Sequence, residues 1–378
     1  MTAPMKSWRI EAIDPLIFGD GRPFNGAPGS RLRSLPWPMP QTLAGIARTR
    51  AGLNADGVWD MDPKEARGIT VHGPFLVGED DHGREPLFPA PADALLPEPA
   101  RGAESVRPGR LVPLEAPDGS ACSGSLAPVH LPRPSPSKPW KKAPALWRWS
   151  WLRPWLEAPG PEAPDLVLPV GADLSIPEEP RTHVAIDPKT GAASEHMLFM
   201  TTGRRYDRGP GDLRVSIGLR TDTDRIAGGV GQLGGERRFA RWVEGDFLSG
   251  VDTPPDAVLQ SAERGFVRLV LATPAFSTGG SDLQPALGDA AEVVAQVNGR
   301  PRVISGWDMH HRRPKPLRRL LPAGSVFFLE LGGTAADRRR FVQDRWLQPV
   351  TDDPDAARDG FGIALFGAWD GAFHPMST

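Results

Sequence analysis

The sequence predicts an α+β fold in which antiparallel sheets carry helices on one face, most simply a βαββαβ unit used twice. Three observations predict it. Short stretches of alternating apolar and polar residues recur, as in Trp8, Ile10 and Ala12 or from Leu213 to Leu219. A single amphipathic helical pattern follows the first of them. Between the periodic stretches stand 42 glycines and 43 prolines, a proline share twice the usual value of roughly 5%, which favours turns and short strands over long helices.

The opening strand, Trp8 to Ala12, continues through Ile13–Phe18 into a first glycine loop, Phe18-Gly19-Asp20-Gly21-Arg22-Pro23-Phe24. After the proline-rich 36–40 segment, Leu43, Ile46, Ala47 and Arg50 recur at helical spacing, which makes 41–50 a helix with Arg48 in its last turn. Residues 69–77 read as a further strand. From about 89 to 180 the chain is dense in Pro, Ala and Glu and reads as an elaborated insertion. Within it Trp151 and Trp155, four apart beside Leu152 and Leu156, predict a short packed helix rather than a base-stacking platform. Residues 181–187 and 197–200 flank a Pro-Lys-Thr-Gly turn and predict a long two-stranded ribbon. A second glycine loop spans 228–238. Strands follow at 266–271, 302–307 and 325–331, and a buried glycine-rich segment closes the chain at 360–369.

A chain of 378 residues exceeds the size at which one core keeps growing, and Thr253-Pro254-Pro255 marks the expected boundary. The expected domains are 1–255, containing the insertion, ribbon and second glycine loop, and 256–378. Formal net charge is only −2, so any polyanion must be met by local patches. Arginine-rich patches lie at 204–208, 237–241 and 300–319. The single cysteine, Cys122, excludes an internal disulfide or a cysteine-rich zinc site and fits a reducing compartment. No stretch is apolar for long enough to span a bilayer, and a cytoplasmic protein without a membrane role is expected.

The two glycine loops carry the functional signal. Glycine exposes main-chain N–H groups to an anion, and a neighbouring guanidinium grips phosphate oxygens in pairs. The second loop lacks the Lys-Ser/Thr of a P-loop, since Glu236 and Arg237 follow its last glycine, and it lacks the setting of a dinucleotide fingerprint. Nucleic-acid backbone is the favoured ligand. An RNA-cutting enzyme would need a general base near a ribose hydroxyl, for which His183, His196, His310 and His311 are the candidates, but no sequence-local pair identifies an acid and a base. Asp222 and Asp224 lack a third acidic ligand at diagnostic spacing. A protein-interaction platform with arginines serving acidic partners is the third reading.

Taken in order, residues 18–24, 35–50 with Pro40-Gln41-Thr42-Leu43-Ala44-Gly45, 181–187, 233–237 and Pro322-Ala323-Gly324-Ser325-Val326 resemble the third subunit of the Cmr-type (type III-B) CRISPR effector complex, within the repeat-associated (RAMP) superfamily. The resemblance extends over nearly the whole chain. It implies tandem ferredoxin-like (RRM-like) domains with a β-hairpin thumb, here Arg181 to Phe199. It also implies a non-catalytic subunit, without metal or cofactor, that holds the repeat-derived 5′ tag of the guide RNA. The implied partners are that tag, the large polymerase-like signalling subunit and the backbone RAMP subunit, with target RNA nearby. The alternative within the superfamily is an endoribonuclease that processes precursor guides. Carried over onto this sequence, the RNA-contact candidates are Gly21, Arg22, Arg48, Arg181, His183, Gly234, Gly235, Arg237 and Arg238. Gly19 stands where the family often has arginine, and Arg31 and Arg33 are the expected substitutes. Such a subunit recognises backbone and a fixed tag while base pairing reads the variable sequence.

Overall fold

The computed structural model describes residues 5–375 apart from 20, 22, 23, 25–28, 82, 116–125, 134, 136, 172, 173, 208, 210, 211, 309–312 and 315. In chain order the first half contains β1 (Lys6–Ala12), α1 (Pro40–Ala51), β2 (Val71–Asp80), β3 (Gly83–Pro89), β4 (Leu146–Arg148), α2 (Trp149–Glu157), β5 (Glu178–Ile186), β6 (Ala193–Arg204), β7 (Arg214–Thr221), β8 (Gly229–Gln232) and β9 (Phe239–Glu244). The second half contains α3 (Asp256–Arg264), β10 (Phe266–Leu271), β11 (Ala291–Val297), β12 (Arg302–Ile304), β13 (Arg318–Leu320), β14 (Val326–Leu331), α4 (Ala335–Arg345) and β15 (Ala364–Ala368).

Two antiparallel sheets dominate. The larger has the order β4-β3-β2-β7-β1-β9-β8, and the smaller β11-β14-β10-β15. The middle of the first, β9-β1-β7-β2, repeats the order of the second: in each, the first strand of its group lies between the last and the third, and the second lies outside the third. Helices are distributed unevenly over these units. α1 connects β1 to β2, but the β7 to β9 connection holds glycines 228, 229, 231, 234 and 235, which disfavour a helix, and forms β8 and a turn instead. In the second unit α4 connects β14 to β15, and α3, which precedes β10, packs beside it.

The period-2 alternation of β2 explains how the layers join. Phe75 and Val77 enter a core shared with the second sheet, whereas Leu76 enters a separate core beneath α1 with Ile10, Leu43, Ala47, Ile217 and Trp242. Both faces of β2 are therefore covered, and its residues 71–78 are all buried. The shared core is the larger of the two. It gathers Phe88, Trp147, Trp155 and Leu156 from the first half with Val267, Phe327 and Phe366 from the second.

The insertion is what bridges them. α2 buries Leu152, Trp155 and Leu156 as the four-residue spacing predicts, and Trp147 and Trp155 meet edge-to-face at 5.6 Å. Asp93, wholly buried, forms an ion pair with Arg268 of β10, itself only 1% exposed, and accepts a 3.0 Å hydrogen bond from Trp155 Nε1. Arg268 also donates to the carbonyls of Ala368 and Trp155, at 3.0 and 2.8 Å. Arg110 donates to those of Trp155, Ala158 and Gly160 and lies 4.3 Å from the Trp155 ring. Burial, followed by the neighbouring Arg268 charge, pushes the Arg110 guanidinium down to about 9. Cys122 lies outside the described residues.

Candidate nucleic-acid interface

The segment that follows β1, which ends at Ala12 rather than running on to Phe18, meets the second glycine loop at one carbonyl. Gly235 N–H donates to Ile17 O at 2.7 Å, and a Cβ on Gly234, whose φ is +80°, would stand 2.4 Å from that same oxygen. Only glycine permits this approach and this backbone at once. Leu233 N–H donates to Arg238 O at 2.8 Å and closes the turn, with Glu236 and Arg237 both held at positive φ (57° and 52°). Two consecutive non-glycine residues in the left-handed region cost free energy, which the surrounding contacts must offset. Arg237 stands exposed at the tip. Arg238 is half-buried, and its Nε is buried without a hydrogen-bond partner among the described residues.

The earlier half of the same glycine-rich run serves a different purpose. Residues 229–232 form the edge strand β8 against β9, and Arg50 at the end of α1 donates to the carbonyls of Ala227, Gly228 and Gly229 at 2.7, 3.0 and 3.3 Å. A Cβ on Gly231 would lie 2.3 Å from Arg50 Nη1. Arg50 also lies 5.3 Å from the Trp242 ring, and burial lowers its pKa.

The first glycine loop starts from Phe18, whose N–H donates to Ser34 Oγ at 2.9 Å and whose carbonyl accepts from Leu35 N at 2.7 Å. Phe18 packs edge-to-face on Tyr206, and the Tyr206 hydroxyl donates to Pro36 O at 2.8 Å. Complete burial holds that phenol well above its ordinary pKa. The chain leaving the loop pairs with the ribbon, Arg31 opposite Met200 and Leu32 opposite Thr201 in parallel. Arg31 and Arg33 are exposed, and neither has an ion-pair partner among the described residues. Gly21 has φ +86° and approaches Ser305, whose N would lie 3.4 Å from a Cβ there. Arg22 lies outside the described residues.

The ribbon is β5 paired with β6, with Arg181 opposite Thr201 and His183 opposite Phe199. His183 Nε2 lies 2.8 Å from Thr201 Oγ1, and its ring stacks on Phe199 at 5.1 Å and 12°. Phe199 in turn meets Phe24 edge-to-face at 5.8 Å. This aromatic column joins the ribbon to the first glycine loop. Arg181 is exposed and shares its charge with Glu179 through a 2.7 Å Nε contact. The Arg181 hydrogen bond is the main cause of the lowered Glu179 pKa, and Arg205 adds to it.

Gly21, Arg31, Arg33, Arg181, His183, Gly234, Gly235, Arg237 and Arg238 therefore sit on segments that touch one another around Ile17 and Phe18. Arg48 is turned elsewhere. Its Nε and Nη2 donate to Ile69 O at 3.1 and 2.8 Å, and its Nη1 pairs with Asp359, so it fastens α1 to the second half of the chain. Its place in the last turn of the helix was legible, but its partner 311 residues away was not. Sequence reasoning also missed Arg50 and the column of Phe24 and Phe199. Arg50 carries a usable signal, an arginine closing a helix in a chain with an orphan glycine run, whereas the column depends on a pairing register that alternation alone does not set.

Of the residues considered for catalysis, His183 is engaged as described, and the side chain of His196 together with His310 and His311 lies outside the described residues. Asp222 accepts from Thr70 N at 2.9 Å, and Asp224 pairs with Lys6 at 3.1 Å. Among the described residues no group of three or more His, Cys, Asp or Glu side chains is placed to hold a metal ion, and no helix is long and apolar enough to cross a membrane.

Two solved chains are similar to this one over 85% of its length and 86% of theirs, at 18% and 17% identity, each with a TM-score of 0.47. They come from cryo-EM structures of the type III-B Cmr-beta bound to cognate target RNA, one of them also with AMPPnP. No protein of curated function matches the chain in sequence. The model of one family, CRISPR-associated protein (Cas_Cmr3), matches residues 8–369, nearly the whole chain and the full span of the motifs that resemble the third Cmr subunit. The chain belongs to the Cas_Cmr3 family of CRISPR-associated proteins.

Proposed function

We propose that this protein is a non-catalytic guide-RNA-binding subunit of a type III-B effector complex in antiviral defence, anchoring the 5′ repeat-derived tag and bridging the large signalling subunit to the backbone RAMP subunit. The observation that carries the proposal is the junction of the two glycine loops at Ile17 O, which gathers the exposed Arg31, Arg33 and Arg237 without acidic partners. Unpaired guanidinium groups beside close-packed main chain suit the phosphates and splayed bases of a single-stranded tag. We read the repeated strand order as two elaborated ferredoxin-like units, divided near 255, with the β5–β6 ribbon as the thumb and 89–180 as an insertion. The engagement of His183 with Thr201 and Phe199 supports a structural or RNA-contacting role over that of a general base. A cytoplasmic location follows from the same reading.

The test is retention of guide RNA with an intact or scrambled 5′ tag by the protein, alone and with its large-subunit partner, with the same samples run on a denaturing gel. We expect tag-dependent retention without cleavage, weakened at least tenfold by Arg33→Glu together with Arg237→Glu. Equal retention of both RNAs, or discrete fragments lost on His183→Ala, would reject the assignment.

A further inference from the structure

We propose that Phe239 is a stacking platform for one unpaired RNA base, with Arg241 gripping the adjoining phosphate, on the open face of β8 and β9. The proposal rests on the RNA-binding reading above and adds a base contact to it. Ladder register defines the face. Val230 lies opposite Arg241 and Gln232 opposite Phe239, so these four side chains project from the same side, and all four residues are exposed. Ala240 and Trp242, which alternate with them along β9, are buried on the other side, where Arg50 lies 5.3 Å from the Trp242 ring.

A lone exposed apolar side chain needs no explanation, but this one has a fixed mount and no ring to pack on. Phe239 N–H donates to Asp14 Oδ2 at 2.8 Å, and its carbonyl accepts from Ile13 N and Asp14 N at 3.0 and 3.2 Å. Among the described phenylalanines it is the most exposed, at 45%, and it meets no other aromatic ring there, whereas Phe373, at 37%, packs on Trp369. Ile13, joined to it by that hydrogen bond, and Val230, diagonal to it across the ladder, are more than half exposed. Arg241 has no ion-pair partner among the described residues. The acid on the neighbouring strand, Glu11 opposite Arg241, is engaged by Arg9 at 2.9 Å.

Aromatic and arginine side chains suit a protein partner as well as a base, and position decides between them. The turn of 233–238, which leans on Ile17 and carries the exposed Arg237 at its tip, runs straight into Phe239. RNA held at that turn meets the open ring next. Residues 239 and 241 stand about 7 Å apart along the strand, so a nucleotide whose phosphate contacts Arg241 can lay its base on the Phe239 ring. Every base has a π-face, and the platform therefore adds affinity without reading sequence. Three apolar side chains, Ile13, Val230 and Phe239, are far too little surface for a stable protein partner, which needs about 800 Å² a side.

The experiment measures guide-RNA retention against salt concentration for the full-length wild type and its variants, with melting temperature as the control for folding, and repeats it with the base removed from one nucleotide at a time. Phe239→Ala should weaken retention by roughly fivefold or more at an unchanged slope of log affinity against log salt, because a stacked base releases no counterion. Arg241→Gln should reduce that slope by about 0.7. Phe239→Trp should retain RNA as the wild type does, and Phe239→Leu should not. At one nucleotide, removal of the base should weaken the wild type and leave Phe239→Ala unaffected. Undiminished retention by Phe239→Ala or Phe239→Leu, or no nucleotide whose base removal separates wild type from Phe239→Ala, overturns the platform and leaves tag anchoring standing. A wild type that retains no RNA overturns both. Poor assembly of Phe239→Ala with partner subunits at unchanged RNA retention overturns it in favour of a protein contact.

Discussion

His72 shows how a single buried residue makes stability depend on pH. It lies in β2 opposite Arg220, is 6% exposed, and its pKa is pushed down to about 4 by burial and then by Arg220, against a smaller opposing effect of Asp222. The unfolded chain takes up the proton first as pH falls, because its imidazole titrates near the ordinary 6.5. The contribution to stability is therefore complete above pH 6.5, is lost as pH falls towards 4, and changes no further below that. The full effect is about 3 kcal/mol, of which about 2 is gone by pH 5. Urea midpoints at pH 7.5 and 5.0 should show this loss, and His72→Asn should flatten it. An equal pH dependence in the variant would place the titration elsewhere. Arg48 teaches the complementary point: a cation at the end of an exposed-looking helix was legible as a candidate ligand for phosphate, yet its guanidinium holds Ile69 and Asp359.

Among the elements, the second glycine run divides into two devices. Residues 229–232 make an edge strand that Arg50 clamps by its carbonyls, and 233–238 make the turn that leans on Ile17. Gly234→Ala therefore places a methyl against Ile17 O and an L-residue in the left-handed region, costing about 1–2 kcal/mol for the backbone alone. We expect the variant to lose guide-RNA retention by an order of magnitude or more. Gly245→Ala, where a Cβ meets nothing within 4 Å, serves as the neutral control. Equal retention by both variants would remove the turn from the interface. The ribbon was legible from alternation on both sides of a Pro-Lys-Thr-Gly turn, and the structure forms it, in a register with His183 opposite Phe199 that the alternation did not set. Residues 302–307 were legible as a strand, which the structure divides into 302–304 and 307–308, but their partners at 318–320 and 313–314 were legible only as a basic, proline-broken stretch, because strands of two or three residues are too short to show a period.

On the scale of the whole molecule, the insertion at 89–180 ties the two sheets together through Asp93, Arg268 and Arg110 and through the tryptophans around α2. Asp93→Ala leaves Arg268 charged, buried and unpaired, a loss of about 3–5 kcal/mol. Because the shared core crosses from one half to the other, we expect a single calorimetric transition shifted as a unit. Two separate transitions, with only one moved, would show that the halves unfold independently. The α+β class, the helix after the first strand, the ribbon, the Trp helix and the ordered motifs of the Cas_Cmr3 family were all readable in the chain itself, since each depends on residues close in sequence. Which arginines remain unpaired, how the glycine loops meet at Ile17, and that the proline-rich insertion is a bridge between sheets were decided only by tertiary packing. Those outcomes depend on partners tens to hundreds of residues apart, such as Arg48 and Asp359 or Asp93 and Arg268, and local periodicity carries no information about contacts at that separation.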